Sequence, residues 1–249
     1  MMIDLHTHIL PYVDDGASSL EEALAMLENA VLCGVKKLAL TPHANVPDGN
    51  DNYYDEELAT KFRQFSSCVK EAEIDIELIP GVEVFATSEV SRLMKQKKFL
   101  TLNCTRYLLL EFGFNESVPF TFSLVDELVE MGCIPLIAHP ERYPYVQENP
   151  NIVFEWIRMG ACTQLNKGSV LGHFGIKAGE VAMQLLQNDL VSVVASDAHD
   201  TKRRTTSMAD AFDYISGAFS DEYARVLFCE NPLRLLNDKE LLSNGPMPI

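Results

Sequence analysis

The chain has 249 residues, 47% of them hydrophobic and 22% charged, with a mean hydropathy near zero. That suits one large core, and about 250 residues is what a single α/β barrel takes. No run approaches the ~18 apolar residues of a membrane span, and no basic-then-apolar leader opens the chain, so no transmembrane segment and a cytoplasmic location are expected. The formal net charge of −16 argues against nucleic acid as a partner, since that binding rests on Lys and Arg neutralising phosphates.

Short β-type runs alternate with amphipathic helical stretches, and no repeat or linker divides them, so a single domain over 1–249 is expected. A first strand at 2–8 ends in His6-Thr7-His8, with Asp14 and Asp15 just beyond. The helix that follows is capped by Ser18 or Ser19, with Glu21 or Glu22 three residues on as a capping box. It places Leu20, Leu24, Leu27 and Val31 on one face and stops at Gly34. A strand at 37–43 ends Thr41-Pro42-His43. A helix over 55–73 puts Leu58, Phe62, Phe65 and Val69 on its apolar face. Strands at 76–84 and 106–112 end in Gly81-Val82-Glu83 and Leu110-Glu111. Phe120, Leu124, Leu128 and Met131 mark a further helix, closed by Gly132. The strand at 133–139 runs into His139-Pro140-Glu141-Arg142. The strand at 161–166 ends Gln164-Leu165-Asn166, the one exit without a strong metal ligand. The strand at 191–197 ends Ser196-Asp197-Ala198-His199, and helices over 208–219 and 220–229 follow. Mostly apolar strands such as 134–138 read as buried on both faces, hence a parallel sheet covered by helices. Seven βα units favour a closed or distorted barrel, with an open doubly wound sheet as the alternative.

In parallel βα folds, sites gather at the C-terminal ends of strands. Side chains at i and i+2 of a strand point the same way, so His6 and His8 converge on one ion, and Asp197 and His199 repeat the spacing. Five of the six histidines stand at strand exits. His173, in Leu171-Gly172-His173, is the remaining one and reads as a loop residue. The candidate ligands are His6, His8, Asp15, His43, Glu83, Glu111, His139, Asp197 and His199. One ion takes roughly three to five protein ligands, so the set fits two or three ions, with Glu83 on a middle strand as the bridge. Imidazole and carboxylate suit Zn, Mn or Fe, and such clusters serve hydrolytic in-line displacement. Arg142 and Arg204 lie close after His139 and His199, and guanidinium groups bind phosphate bidentately. The six cysteines lack a C-x-x-C pair and read as buried free thiols. None begins a C-x5-R loop, which disfavours a cysteine-nucleophile phosphatase.

The ordered set of Asp4-Leu5-His6-Thr7-His8, Asp14-Asp15-Gly16, Thr41-Pro42-His43, Gly81-Val82-Glu83, Leu110-Glu111-Phe112, His139-Pro140-Glu141-Arg142-Tyr143 and Ser196-Asp197-Ala198-His199 resembles the polymerase and histidinol phosphatase (PHP) superfamily. More narrowly, it resembles the bacterial tyrosine-protein phosphatases of capsule and exopolysaccharide biosynthesis, from residue 2 to about 235. The resemblance implies a distorted seven-stranded (β/α)7 barrel and three divalent ions, commonly Mn2+, with Fe or Zn as alternatives. It implies that His6, His8, Glu83 and Asp197 hold one ion, that Glu83, Glu111 and His139 hold a second, and that Asp15, His43 and His199 hold a third. Arg142 and Arg204 would take the phosphate. The implied substrate is a phosphotyrosine protein, a membrane-associated bacterial tyrosine kinase, attacked by a metal-bridging hydroxide in line with the tyrosyl oxygen. A small-molecule phosphatase of histidinol-phosphate type and a non-catalytic metal-binding regulatory module are the rival expectations. Ala44 and Asn45 after His43, and Asp200 after His199, depart from the pattern without removing a ligand, and bear on substrate preference.

Overall fold

The computed structural model describes residues 1–47, 49 and 51–249. Its strands, in chain order, are β1 (Met2–Asp4), β2 (Val35–Leu40), β3 (His43–Ala44), β4 (Glu77–Pro80), β5 (Glu83–Phe85), β6 (Tyr107–Glu111), β7 (Ile134–Ala138), β8 (Cys162–Asn166) and β9 (Val193–Ala195). All pair in parallel, in two sheets of order β1-β2-β4 and β3-β5-β6-β7-β8-β9.

Seven strand positions match the sequence expectation, but two of them are divided. The run 37–43 splits into β2 and β3 across Thr41-Pro42, where proline has no N–H to donate to a ladder. The run 76–84 splits into β4 and β5 across Gly81-Val82. Hydrogen bonds from Gly81 N to Leu40 O (3.1 Å) and from Glu83 N to Pro42 O (3.0 Å) carry the register over the breaks. At the other side, β1 and β9 approach through a lone bridge, Thr7 to Ala198, flanked by His8 N to Ala198 O (2.8 Å) and Asp197 N to His6 O (2.9 Å). No closed ladder runs through all the described strands.

β1 is also shorter than the expected 2–8. Past Asp4, side-chain oxygens take the backbone donors that a ladder would use. The Asp4 carboxylate accepts from His6 N (3.4 Å) and Ser196 N (3.0 Å), and the Thr41 hydroxyl accepts from Thr7 N (2.9 Å). The exit stays extended, so the alternation of His6, Thr7 and His8 survives without the sheet.

The helices lie outside the strands. Helix Leu20–Leu32 is capped by Ser19, whose hydroxyl accepts from Glu22 N (3.1 Å), while Glu22 reaches back to Ser18 N (2.9 Å). Its buried stripe is Ala23, Met26, Leu27 and Ala30, rotated from the expected Leu20, Leu24, Leu27, Val31 face; small alanines let the helix sit close to the strands. Helix Glu56–Glu71 buries the expected Leu58, Phe62, Phe65 and Val69, with Asp55 as cap. Helix Val118–Glu130 buries Leu124 and Leu128 and ends where Gly132 adopts a φ of 78°. Helix Ala209–Ala218 matches its expectation. The expected 220–229 helix is an α-turn, Asp221–Arg225, that widens to a π-turn over Val226–Glu230.

β6 illustrates burial on both faces: Leu108 and Leu110 join an outer cluster against the helices, while Tyr107 and Leu109 join an inner one. The inner cluster draws Ile3, Ala39 and Ile79 from the first sheet and Leu109, Leu136 and Val193 from the second, so the two sheets share it. The cysteines are all free, but only Cys133 is fully buried and Cys104 is exposed, which corrects the expectation of buried thiols. No helix is long and apolar enough to cross a membrane.

Candidate metal centre

The strand exits converge on Glu83. Its Oε2 lies 3.1 Å from His6 Nε2, 3.2 Å from His8 Nε2 and 3.0 Å from His43 Nδ1, and its Oε1 lies 3.5 Å from His139 Nε2. None of these approaches has hydrogen-bond geometry, and both Glu83 oxygens are buried without a partner. Imidazole nitrogens crowded at contact distance around carboxylate oxygens that have no hydrogen-bond partner are arranged as ligands of a common cation. His6, His8 and Glu83 form one such group, His43, Glu83 and Glu111 a second, and His8, Asp15, His43 and His199 a third. Asp197 Oδ1 stands 3.5 Å from both His6 Nε2 and His8 Nε2, and His139 Nε2 stands 3.5 Å from Glu111 Oε1. The structure therefore brings all nine sequence-expected ligands together. It leaves His43 between two groups, with Nδ1 facing Glu83 and Glu111 and Nε2 3.5 Å from Asp15.

The electrostatics describe a site built around positive charge. Burial opposes charge on His6, but Glu83 and Asp197 outweigh it and raise its pKa. His8 is raised well above the usual imidazole value by Asp14, again against burial. Burial likewise opposes charge on Glu83 and Asp197, yet the surrounding imidazoles, with Arg204 for Asp197, hold both well below the carboxylate range. Glu111, buried and facing the Glu83 charge, is pushed up to about 7, and burial brings His139 down to about 4.

A second ring of residues aims the first. Gln164 Oε1 meets His6 Nδ1 at 2.8 Å, so Nε2 faces inward. Asp14 does the same for His8 through Nδ1 (2.8 Å) and also accepts from His43 N (3.0 Å). The His199 Nδ1–Asp197 O contact (3.0 Å) turns His199 Nε2 toward Asp15, 3.5 Å away. Gly16 is required here, since a Cβ would stand 1.9 Å from the His8 carbonyl oxygen. Sequence reasoning placed neither Gln164 nor Asn166 in the site. Their signal was the same period-2 spacing, at a strand exit, that identified the histidines.

Asp197 divides its carboxylate between two tasks. Oδ1 faces the imidazoles, while Oδ2 accepts from Arg142 (3.0 Å) and Asn166 Nδ2 (2.8 Å) and forms an ion pair with Arg204 (2.5 Å). Both expected arginines therefore line the same open pocket, about 360 Å³, with Asp15, His43, Glu111 and His139 on its floor and Val46 and Phe85 on its wall. Arg142 is also stacked, its guanidinium carbon 4.4 Å from the Phe174 ring centroid and 5.4 Å from that of Phe114. His173 is exposed and lines an adjoining cavity instead.

A cluster of imidazoles and carboxylates at the C-terminal ends of parallel strands, with two arginines over it, defines a metal-dependent hydrolase of the α/β class. Residues 2–237 match the family described as capsular polysaccharide synthesis, CpsB/CapC, and the chain belongs to that family. It is 33% identical over 250 residues to the tyrosine-protein phosphatase YwqE of Bacillus subtilis, covering 100% of this chain and 96% of the relative. It is 34% identical over 243 residues to the tyrosine-protein phosphatase CpsB of Streptococcus pneumoniae, covering 96% and 99%. A crystal structure from work on these two proteins, described as unique metal-dependent tyrosine phosphatases, superimposes with a TM-score of 0.93 at 32% identity, covering 100% of this chain and 99% of the other.

Proposed function

We propose that this chain is a metal-dependent tyrosine-protein phosphatase. The observation that carries the reading is Asp197, which joins the ligand cluster to two phosphate-competent arginines in one pocket. The donor set fits divalent ions: buried, unpartnered Glu83 oxygens and a mixed imidazole–carboxylate sphere suited to Mn2+, Fe or Zn. His6, His8, Glu83 and Asp197 would hold one ion, Glu83, Glu111 and His139 a second, and Asp15, His43 and His199 a third. Ions bound there supply Lewis acidity and activate water at neutral pH.

The chain's own groups do the rest. Arg142 and Arg204 exchange part of their hold on Asp197 for the equatorial phosphate oxygens, where charge develops in the transition state. Phe174 and Phe114 keep the Arg142 plane fixed during that exchange. Val46 and Phe85 give an apolar wall for an aryl ring. A phenol leaving group, with a pKa of about 10, needs less protonation than an alkoxide.

The shared inner cluster and the Thr7–Ala198 bridge support reading the two sheets as one distorted seven-stranded barrel, in a single domain over 1–249. The family's capsular role supports a membrane-associated bacterial tyrosine kinase as the phosphoprotein partner, met in the cytoplasm. The test is a Mn2+ titration with a phosphotyrosine peptide, histidinol phosphate and single-stranded DNA as parallel substrates. Metal-dependent release from the peptide above the other two is expected. Undiminished release in chelator, or preference for histidinol phosphate, overturns the reading.

A further inference from the structure

Beside the catalytic pocket lies a second cavity of about 550 Å³, and Arg204 lines both. Its basic lining is Lys167, His173, Lys202, Arg203 and Arg204, with Phe174 between it and Arg142, and no carboxylate lines it among the described residues. This is a local inversion, because the chain carries 36 acidic against 20 basic residues. Within ion-pair distance, Lys202, Arg203 and His173 have no carboxylate partner among the described residues, unlike Arg204, which pairs with Asp197. The Arg204 Nε is buried without an acceptor.

The cationic groups are also held in place. Lys167, itself buried, donates from Nζ to Thr205 Oγ1 (3.2 Å) and Ser207 O (2.5 Å), fixing the following segment. Asp200 accepts from Lys202 N and Arg203 N (2.6 Å each) and from Arg204 N (3.3 Å), and His199 N donates to Arg204 O (2.8 Å). The Asp200 carboxylate keeps its charge but faces the backbone of the turn, and it forms no ion pair with the Lys202 and Arg203 side chains that line the cavity.

We propose that this cavity is a subsite for a second anionic group carried by the substrate chain, an acidic side chain or a second phosphate, close in sequence to the scissile phosphotyrosine. The proposal rests on the phosphatase reading for the first group and goes beyond it in naming what flanks that group. An anion here meets Lys202 and Arg203 in a protein whose net charge otherwise repels acidic peptides, so charge at this position selects substrates more than it speeds turnover.

The test uses the full chain with Mn2+ and three fluorescent peptides built on a non-hydrolysable phosphonate analogue of phosphotyrosine. One has neutral flanks, one has aspartates in the flanks, and one has a flanking phosphoserine. Binding is read by anisotropy in the native chain and in Lys202→Ala/Arg203→Ala and Lys202→Glu/Arg203→Glu variants. Turnover of a small aryl phosphate reports folding and catalysis. The native chain should bind one or both anionic peptides about three- to tenfold more tightly than the neutral one, a gap of the size that exposed charge pairs give and one that salt narrows. Both variants should lose that gap with aryl phosphate turnover unchanged. The aspartate and phosphoserine arms separate carboxylate from phosphate as the preferred anion. Equal binding of all three peptides by the native chain, or a gap that persists in the charge-reversed variant, overturns the subsite. Charge-selective binding without any metal-dependent turnover would sustain the subsite and refute the phosphatase reading instead.

Discussion

The ligand cluster at the catalytic pocket and the cationic cavity beside it are built in opposite ways. In the ligand cluster, His6, His8, Glu83 and Asp197 are at most 1% exposed, and His6, His8 and Asp197 are each fixed by polar side chains outside the ligand set. Gln164 fixes His6, Asp14 fixes His8, and Asn166 with two arginines fixes Asp197. At the cavity mouth, Lys202 and Arg203 are exposed side chains on a turn, pinned chiefly through the Asp200 carboxylate. Chemistry that depends on placement within fractions of an ångström sits on crossed, buried elements, while selectivity that needs only charge sits on a loop.

Substitutions sharpen that contrast, and the largest effect should come from the centre of the ligand cluster. Glu83→Gln keeps the volume but removes the charge shared by two groups of ligands. It should lose bound metal by elemental analysis and lower phosphotyrosine turnover by about 10³-fold or more, the upper range for a single electrostatic group. Retained metal stoichiometry with normal turnover would remove Glu83 from the bridge. Chelation of the native chain should also lower its melting temperature, since ligand at about a hundred times its Kd stabilises by about 2.7 kcal/mol per site. An unchanged melting curve argues against metal held by the folded state.

Next in size, Arg204→Ala should cut kcat/KM by about 10²–10³-fold while metal content holds, as expected for a group that meets charge in the transition state. Gln164→Ala and Asp14→Ala probe the second ring. Each should weaken metal affinity or activity about 10–100-fold, with Mn2+ titration recovering part of the loss. Failure of high Mn2+ to recover any activity would mean that these residues do more than aim imidazoles. Smallest of these, Gly168→Ala in the lining of the cationic cavity places a Cβ 2.5 Å from the Phe174 ring. Displacing Phe174 from Arg142 should lower kcat/KM about two- to fivefold, the worth of one exposed cation–π contact.

Reading the residues in order went far because the fold repeats one rule. Most βα units deliver their chemistry at a strand exit, so His6, Glu111, His139 and Asp197 stand at or just past the ends of β1, β6, β7 and β9, while His43 and Glu83 open the short strands β3 and β5 that follow β2 and β4. Phe62 and Phe65 were equally legible, since a helix with one wet face has a fixed period. The stripe on helix Leu20–Leu32 was not, because small alanines carry little hydrophobic signal yet win the close approach to the strands.

What the sequence by itself determined is the identity of the ligands and their parity, because i and i+2 alternate in any extended chain, whether or not it joins a ladder. His6 and His8 converge although the sheet stops at Asp4. Only the tertiary structure decided which groups share a space. Asp197 splits its two oxygens between the metal groups and the arginines, His43 stands between two ligand groups, and Gln164 orients a histidine 158 residues away. These are contacts between elements distant in the chain, set by how the exits are packed together, and no local period encodes them.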